Sequence, residues 1–339
     1  MNVVYSSSDY YSECTGVSLY SLYNHNREID INVFIISSDI SKENQKRLHD
    51  IACIFNKSLT IIDADVSFNK AAEKYHFKKL RGSYNTYSTI ILNEWLSFLD
   101  KVIVIDSDTL ITGSLKGMWN LDIEDYYFAA VPETAMYGKY NYFEDEDIIL
   151  ENDAYFNAGI CVVNLKKWRE DNIDEYLLKA VKSDNRSYLT SEQSIMNKFL
   201  GNKAKAMPLQ YNFYSTYHFA DYDVIQKIFY KKHFFSKLEY EYAKDNPVII
   251  HYCGFPFERP WFKINVAYRK KEYLQVRSKT PWAEMPLKKW SRRESIFKHL
   301  YDVLCYILIK CRMYNTCLKL RGVFAQKVKG ILVKRGWIK

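Results

Sequence analysis

The 339-residue chain is poor in the residues that loosen a fold. It has only 11 Gly and 7 Pro, too few for a collagen repeat, a long flexible linker or a Gly-rich low-complexity tract. Its seven Cys (Cys14, Cys53, Cys161, Cys253, Cys305, Cys311 and Cys317) are odd in number and widely spaced, with no C-x-x-C. That argues against a disulfide framework or zinc ribbon and fits a reducing, cytoplasmic setting. No apolar run reaches membrane-spanning length. The opening Met1-Asn2-Val3-Val4-Tyr5 lacks the basic and apolar regions of a secretory signal, so none is expected. There is no G-x-G-x-x-G, and Gly113 and Gly117 are one residue short of P-loop spacing, without the Lys-Ser/Thr that follows one. A dinucleotide-dependent dehydrogenase and a Walker-type ATPase are both disfavoured.

What is present is an ordinary globular composition, 48% hydrophobic and 26% charged, which excludes global disorder. The formal net charge of +8 is unevenly spread. Residues 285–339 hold 14 Lys and Arg against Glu294 and Asp302, whereas residues 1–284 hold 34 bases and 38 acids. An acidic body with a basic tail points to two tasks.

Short β-branched runs alternate with helical patterns through the first hundred residues. Val3–Tyr5, Asn32–Ile36, Leu59–Ile62 and Val102–Ile105 read as strands. Between two of them, Ser41 is a helix N-cap candidate, and Leu48, Ile51, Ala52 and Phe55 recur on one helical face. This alternation predicts an α/β fold with a mostly parallel central sheet, flanking helices and right-handed crossovers. Ligands in such sheets bind beyond the C-terminal strand ends. Further on, Phe128–Val131, Tyr155–Leu165 and Pro247–His251 also read as strands. A helix runs to about residue 183, and Tyr211, Tyr214, Tyr217 and Tyr222 mark a Tyr-rich segment.

Asp106-Ser107-Asp108 follows the strand Val102–Ile105. Residues two apart on a strand share a face, so both carboxylates can reach one hard divalent cation. A polar turn with Asp side chains capping backbone amides explains the same residues. The strand-end position favours the cation, whose part would be to neutralise a diphosphate. His251 ends another strand-like run and opens a loop holding Gly254, Pro256, Arg259, Pro260 and Trp261. Two carboxylates and an imidazole suit Mn²⁺ better than Mg²⁺. Gly254 allows backbone to approach a phosphate, and Arg259 is either a phosphate partner or a solvated loop charge.

Four segments resemble glycosyltransferase family 8, retaining enzymes of the GT-A fold that include bacterial lipooligosaccharide galactosyltransferases. They are Val104-Ile105-Asp106-Ser107-Asp108-Thr109-Leu110, then Tyr155-Phe156-Asn157-Ala158-Gly159 running into Val163–Arg169, then Glu192-Gln193-Ser194-Ile195-Met196-Asn197, and His251-Tyr252-Cys253-Gly254 with Pro260-Trp261. The resemblance covers roughly residues 1–262. It implies a GT-A type nucleotide-diphospho-sugar transferase fold and transfer of a hexose from UDP-glucose or UDP-galactose, with Mn²⁺ or Mg²⁺ held by Asp106, Asp108 and His251. It assigns Ser6, Ser8, Ser107, Asn157, Gly254 and Arg259 to the donor nucleotide-sugar. Among the substrate-side residues, Asn157 and Glu192 fall by the donor sugar and Glu133 near an acceptor-side acid. Gln193, with Glu192, falls beside the anomeric carbon. Thr190-x-x-Gln193 is also a capping box, which needs no catalysis. The sequence departs from the family pattern at Ser8, Thr89, Glu192, Ser194 and Arg259.

The resemblance implies front-face substitution, since Gln193 is an amide; double displacement through Glu192 is the rival course. The acceptor it implies is a cell-surface or lipid-linked glycan or glycolipid. Two other readings stay open: a protein- or self-glycosylating transferase, for which the tyrosines of Tyr137–Tyr142 are the only support, and a degenerate sugar-nucleotide-binding module. The chain divides into a catalytic domain, 1–284, and a basic amphipathic helical tail, 285–339. In the tail, Ile296, Leu300, Val303, Leu304 and Ile307 repeat at helical spacing beside Lys and Arg, with Trp290, Tyr301, Tyr306 and Trp337 suited to an interface. That pattern fits a helix lying on an anionic membrane, which would place the enzyme on the inner face of the plasma membrane. It also fits a helix packed on the body. The acidic body argues against nucleic acid as a partner.

Overall fold

The β-branched runs of the first third form β1 (Asn2–Ser6), β2 (Asn32–Ser37), β3 (Ser58–Asp63) and β4 (Lys101–Asp106). The computed structural model describes residues 1–75, 84–133, 148, 154–184, 192–219, 221–229, 235–253, 258–289, 296–313, 315–317 and 319–320. β1 pairs in parallel with β2 and β4, and β2 with β3. Beyond β5 (Thr109–Ile111) come β6 (Phe128–Pro132), β7 (Phe156–Asn164) and β8 (Ala204–Ala206). They extend the sheet to seven strands in the order β3-β2-β1-β4-β7-β6-β8. Only β7 runs against the others, since it is antiparallel to both β4 and β6 while β6 and β8 are parallel. The expected mostly parallel sheet is therefore present, with one reversed strand inside it.

β4 and β7 are almost fully buried, as strands covered on both faces must be. One core face gathers Val3, Tyr5, Ile103, Ile105, Ile160 and Val162, and the other Val4, Val102, Val104, Cys161 and Val163. Ser41 caps the helix Lys42–Ile54 by accepting from the Asn44 N–H, and Leu48, Ile51 and Ala52 are its buried face. The helical stretch after β7 is broken in two, Leu165–Glu170 and Ile173–Asp184. The break is at Asn172, whose φ of 53° is left-handed, a conformation Asn tolerates better than most residues.

A second, smaller sheet has the order β5-β10-β9, with β9 at Phe213–Tyr214 and β10 at Ile249–His251. Buried hydroxyls tie it to the helix Ser12–His25. Ser18 lies 3.0 Å from the Tyr5 hydroxyl and 2.7 Å from that of Thr109, and Ser21 accepts from Ile111 N–H at 3.0 Å.

The far end of the body is clamped to the same helix. Arg277 Nε donates to Glu13 at 2.5 Å, and its other nitrogens reach the Ala283 and Met285 carbonyls. The Trp282 indole lies against Gly16, where a Cβ would overlap the ring. Lys288 pairs by backbone with Trp261 and Lys263 and sets its ammonium 3.7 Å above the Tyr10 ring, so the chain is tied to the body through that residue. The helix Ile296–Lys310 follows. Its Cys305 and Leu308 pack with Val266 and Cys317, while Leu300, Val303, Leu304 and Ile307 are 61%, 45%, 44% and 50% exposed. The tail helix thus packs on the body along one side and turns an apolar stripe outward. Among the described residues, no helix is long and apolar enough to cross a membrane.

Gly16→Ala should crowd the Trp282 ring and cost about 1–3 kcal/mol of stability, as overpacking does. Urea unfolding against wild type measures it; an unchanged midpoint would mean the indole has room to move.

Candidate active site

The site lies where the two sheets part. β4 ends at Asp106 in the large sheet and β5 begins at Thr109 in the small one. The Thr109 hydroxyl closes the turn by donating to the Asp106 carbonyl at 3.0 Å. Asp106 and Asp108 therefore stand at the C-terminal end of a central parallel strand, where such sheets open to ligand. His251 comes from β10, whose antiparallel register sets it opposite Thr109. The next residue, Tyr252, donates its N–H to the Asp108 carbonyl at 2.8 Å.

His251 is only 1% exposed. Its Nε2 lies 3.4 Å from Asp106 Oδ2 and 3.3 Å from Asp108 Oδ1, beyond the ordinary range for an N–H···O bond. Nε2 is a buried nitrogen with no hydrogen-bond partner. One oxygen from each carboxylate and an imidazole nitrogen lie within 4.8 Å of one another. Two hard oxygens and a borderline nitrogen converging on one point fit a divalent cation such as Mn²⁺.

The electrostatics agree. Burial alone would lower the His251 pKa, but the nearby carboxylates of Asp106 and Asp108 outweigh it and push the imidazole up to about 10. Burial works to raise Asp108, but His251 and then Arg259 hold it below the ordinary carboxylate value. Asp106 is raised, chiefly by burial, with the Asp108 charge adding and His251 opposing. The site is built to hold positive charge between two carboxylates.

One strand over, Asn157, Glu133 and Gln193 are buried together. Asn157 Nδ2 donates to Glu133 Oε2 at 3.2 Å and to Gln193 Oε1 at 2.9 Å. Gln193 Oε1 also accepts from the Ala158 N–H at 3.1 Å. Gln193 is thus bound to β7, and Thr190, the other half of the capping-box reading, lies outside the described residues. Glu192 begins the helix Glu192–Leu200. Burial, reinforced by the Asp106 charge, raises its carboxyl well above the ordinary value, and its Oε2 is buried without a partner.

The remaining predicted residues are placed as follows. Ser6 ends β1 and donates to the Asn85 carbonyl at 2.7 Å. Ser8, half-buried, starts the turn after β1. The Ser107 hydroxyl is turned into the fold, donating to the Ser6 carbonyl at 3.0 Å and lying 2.9 Å from Thr15, so it steadies the turn between the two Asp residues. Arg259 lies over the Trp261 ring at 5.8 Å and feels the charge of Asp108. Thr89 and Ser194 are buried, the latter 3.3 Å from the Tyr155 hydroxyl. Gly254, Thr190 and the tyrosines at Tyr137–Tyr142 lie outside the described residues.

The sequence reading missed Asn212 and Tyr214. Asn212 joins His251 to Asn157. Tyr214 donates to Glu133 and meets the His251 ring edge-on at 5.5 Å. The Tyr-rich segment was visible, but nothing in its spacing singles out the one Asn within it.

A parallel-sheet α/β body with paired carboxylates and a histidine at the central strand end defines a GT-A glycosyltransferase. Residues 2–265 match the model of Glycosyl transferase family 8, and the chain belongs to that family. It is 31% identical over 259 residues to a candidate glycosyltransferase of Haemophilus influenzae, covering 75% of this chain and 71% of that one. It is 24% identical over 307 residues to the lipopolysaccharide 1,2-glucosyltransferase of Escherichia coli, covering 88% and 85%. Its fold is similar to that of the galactosyltransferase LgtC, solved with donor and acceptor sugar analogs. There the TM-score is 0.67 at 22% identity, over 83% of this chain and 96% of that one.

Gly159 lies under the Asp106 carboxylate, and a Cβ there would overlap it. Gly159→Ala should rotate that carboxylate off the site and weaken Mn²⁺ binding by about tenfold or more, the order expected when a ligand's support is lost. Electron paramagnetic resonance titration of free Mn²⁺ measures it, with thermal melting as the check on folding. Binding equal to wild type would remove Asp106 from the ligand set.

Proposed function

We propose that the protein transfers glucose or galactose from a UDP-sugar to a hydroxyl of a cell-surface or lipid-linked glycan, with retention at C1 and with Mn²⁺ or Mg²⁺ bound. The observation that carries this reading is the convergence of Asp106, Asp108 and the unpartnered His251 Nε2, one strand from the Asn157–Gln193–Glu133 cluster. A cation between a diphosphate and these ligands supplies charge neutralisation of the leaving group.

The chain's own residues do the rest. Asp106, Asp108 and His251 are the ligands. Arg259 pairs with a phosphate oxygen, a task its planar fork suits. Ser6 and Ser8 border the nucleoside, with Gly254 by the diphosphate. Asn157 and Glu192 take donor-sugar hydroxyls, and Glu133 faces the acceptor. The lipopolysaccharide glucosyltransferase among the relatives and the galactosyltransferase with the similar fold support this donor and acceptor class.

Two observations favour front-face substitution. Gln193 Oε1 already accepts two hydrogen bonds, so both its lone pairs are engaged. Burial raises Glu192 well above the ordinary carboxylate value, which disfavours the charged form that a carboxylate nucleophile needs. The acceptor oxygen then bonds to C1 on the face that UDP leaves, the C1–O bond to phosphate breaks, and the acceptor's proton passes to the departing phosphate oxygen.

The outward apolar stripe of the helix Ile296–Lys310, within a basic tail, lies on an anionic leaflet in this reading and brings the site to a lipid-linked acceptor.

Wild type should release UDP from UDP-glucose or UDP-galactose with Mn²⁺ present and stop with EDTA. Asp108→Ala should lower turnover by at least about a hundredfold, the scale of losing one electrostatic stabiliser. Full activity in chelator would overturn the metal assignment. Full-length protein should sediment with vesicles containing phosphatidylglycerol but not with neutral ones. Leu300→Glu/Ile307→Glu should abolish sedimentation and leave UDP release unchanged; wild type that stays in the supernatant would sink the membrane reading.

A further inference from the structure

Backbone hydrogen bonds fix the orientation of the side-chain amides in the site. A backbone N–H can only donate, so whatever it meets within hydrogen-bond distance is an acceptor. The Ala158 N–H lies 3.1 Å from one end of the Gln193 amide, which must therefore be its oxygen. The Gly159 N–H lies 3.1 Å from one end of the Asn157 amide, which must likewise be its oxygen. That leaves the Asn157 NH₂ facing Gln193 Oε1 and Glu133 Oε2, both acceptors, as it should.

Asn157 Oδ1 lies 2.8 Å from Asn212, so that end of the Asn212 amide is its NH₂. The other end, Asn212 Oδ1, lies 3.0 Å from His251 Nδ1. An amide oxygen can only accept, so Nδ1 carries the hydrogen. When the ring is neutral, as a cation ligand must be, its lone pair is then on Nε2, the atom turned toward Asp106 and Asp108. Asn212 is 1% exposed. Two peptide N–H groups of β7 thus set a histidine tautomer through two asparagines.

We propose that Asn212 is a positioning residue with two separable parts. Its Oδ1 fixes His251 with the Nε2 lone pair toward the cation, and its NH₂ holds Asn157 in place on the donor-sugar side. This rests on the reading of Asp106, Asp108 and His251 as a cation site. An outer hydrogen-bond partner of a ligating histidine typically accounts for 10–100-fold in metal affinity.

The two parts can be tested by substitutions that remove them differently. Asn212→Asp keeps an acceptor for Nδ1–H and loses the donor to Asn157. Asn212→Leu is of similar size and loses both. In full-length protein, Mn²⁺ affinity is read by electron paramagnetic resonance of the free ion, KM and kcat by UDP release, and folding by thermal melting. Asn212→Leu should weaken Mn²⁺ binding about 10–100-fold. Asn212→Asp should keep Mn²⁺ affinity within about threefold of wild type yet raise KM for the UDP-sugar or lower kcat, a split that general loosening of the core does not produce. Folded Asn212→Leu with wild-type Mn²⁺ affinity, or Asn212→Asp with affinity as poor as that of Asn212→Leu, would overturn the proposal. If Asn212→Leu does not fold, the split in Asn212→Asp decides alone. Asp108→Ala separates the levels: Mn²⁺ binding that survives it removes the cation site itself, while binding lost there but kept in Asn212→Leu removes only the role of Asn212.

Discussion

The interaction on which the site depends is the meeting of a buried imidazole with two carboxylates from another part of the chain. Asp106 and Asp108 straddle the turn by which the backbone leaves the large sheet and enters the small one. His251 arrives from β10 because β10 pairs with β5, opposite Thr109. Such a group of like charges beside a buried histidine is costly unless a positive charge lies between them. Much of the surrounding structure holds those three side chains in place. The hydroxyls of Ser18, Ser107 and Thr109 lock the turn from below, and Asn212 holds the imidazole from behind. Gly159 leaves room for the Asp106 carboxylate.

From that centre the charge pattern of the whole chain acquires a meaning. The acidic body carries carboxylates where a cation and a sugar would sit, and the surplus of bases belongs to the C-terminal segment. Arg277 with Glu13, Trp282 on Gly16 and Lys288 over Tyr10 fasten the end of the body to the helix and turn beside β1. The body therefore ends, at Lys288, close to the C-terminal end of β1. In the proposed function, the packing of Cys305 and Leu308 with Val266 holds the membrane-facing helix to the catalytic body.

Much of the fold could be read in advance because its signals are local. β-branched runs gave the strands, Ser41 gave a helix start, and the strand-end position gave Asp106 and Asp108 their meaning. The reversed direction of β7 had no such signal, since a fully buried strand has the same apolar pattern in either direction. The site was legible where a residue is recognisable by type and position, as with His251 or Asn157. It was not legible at Asn212, which is one Asn among aromatic residues, nor at Tyr214, whose partner Glu133 is distant in sequence.

By itself the sequence determined the α/β class, the acidic body with its basic tail, the family, and which carboxylates and histidine are candidates for a cation. Tertiary structure alone decided what those residues do to one another. It turned Ser107 inward, bound Gln193 to β7, and ran a line of amides from Ala158 and Gly159 to His251. The physical reason is that hydrogen-bond direction depends on which donor meets which acceptor across strands far apart in the chain. Residue type sets how many protons each group can give or take, and only packing sets where they go.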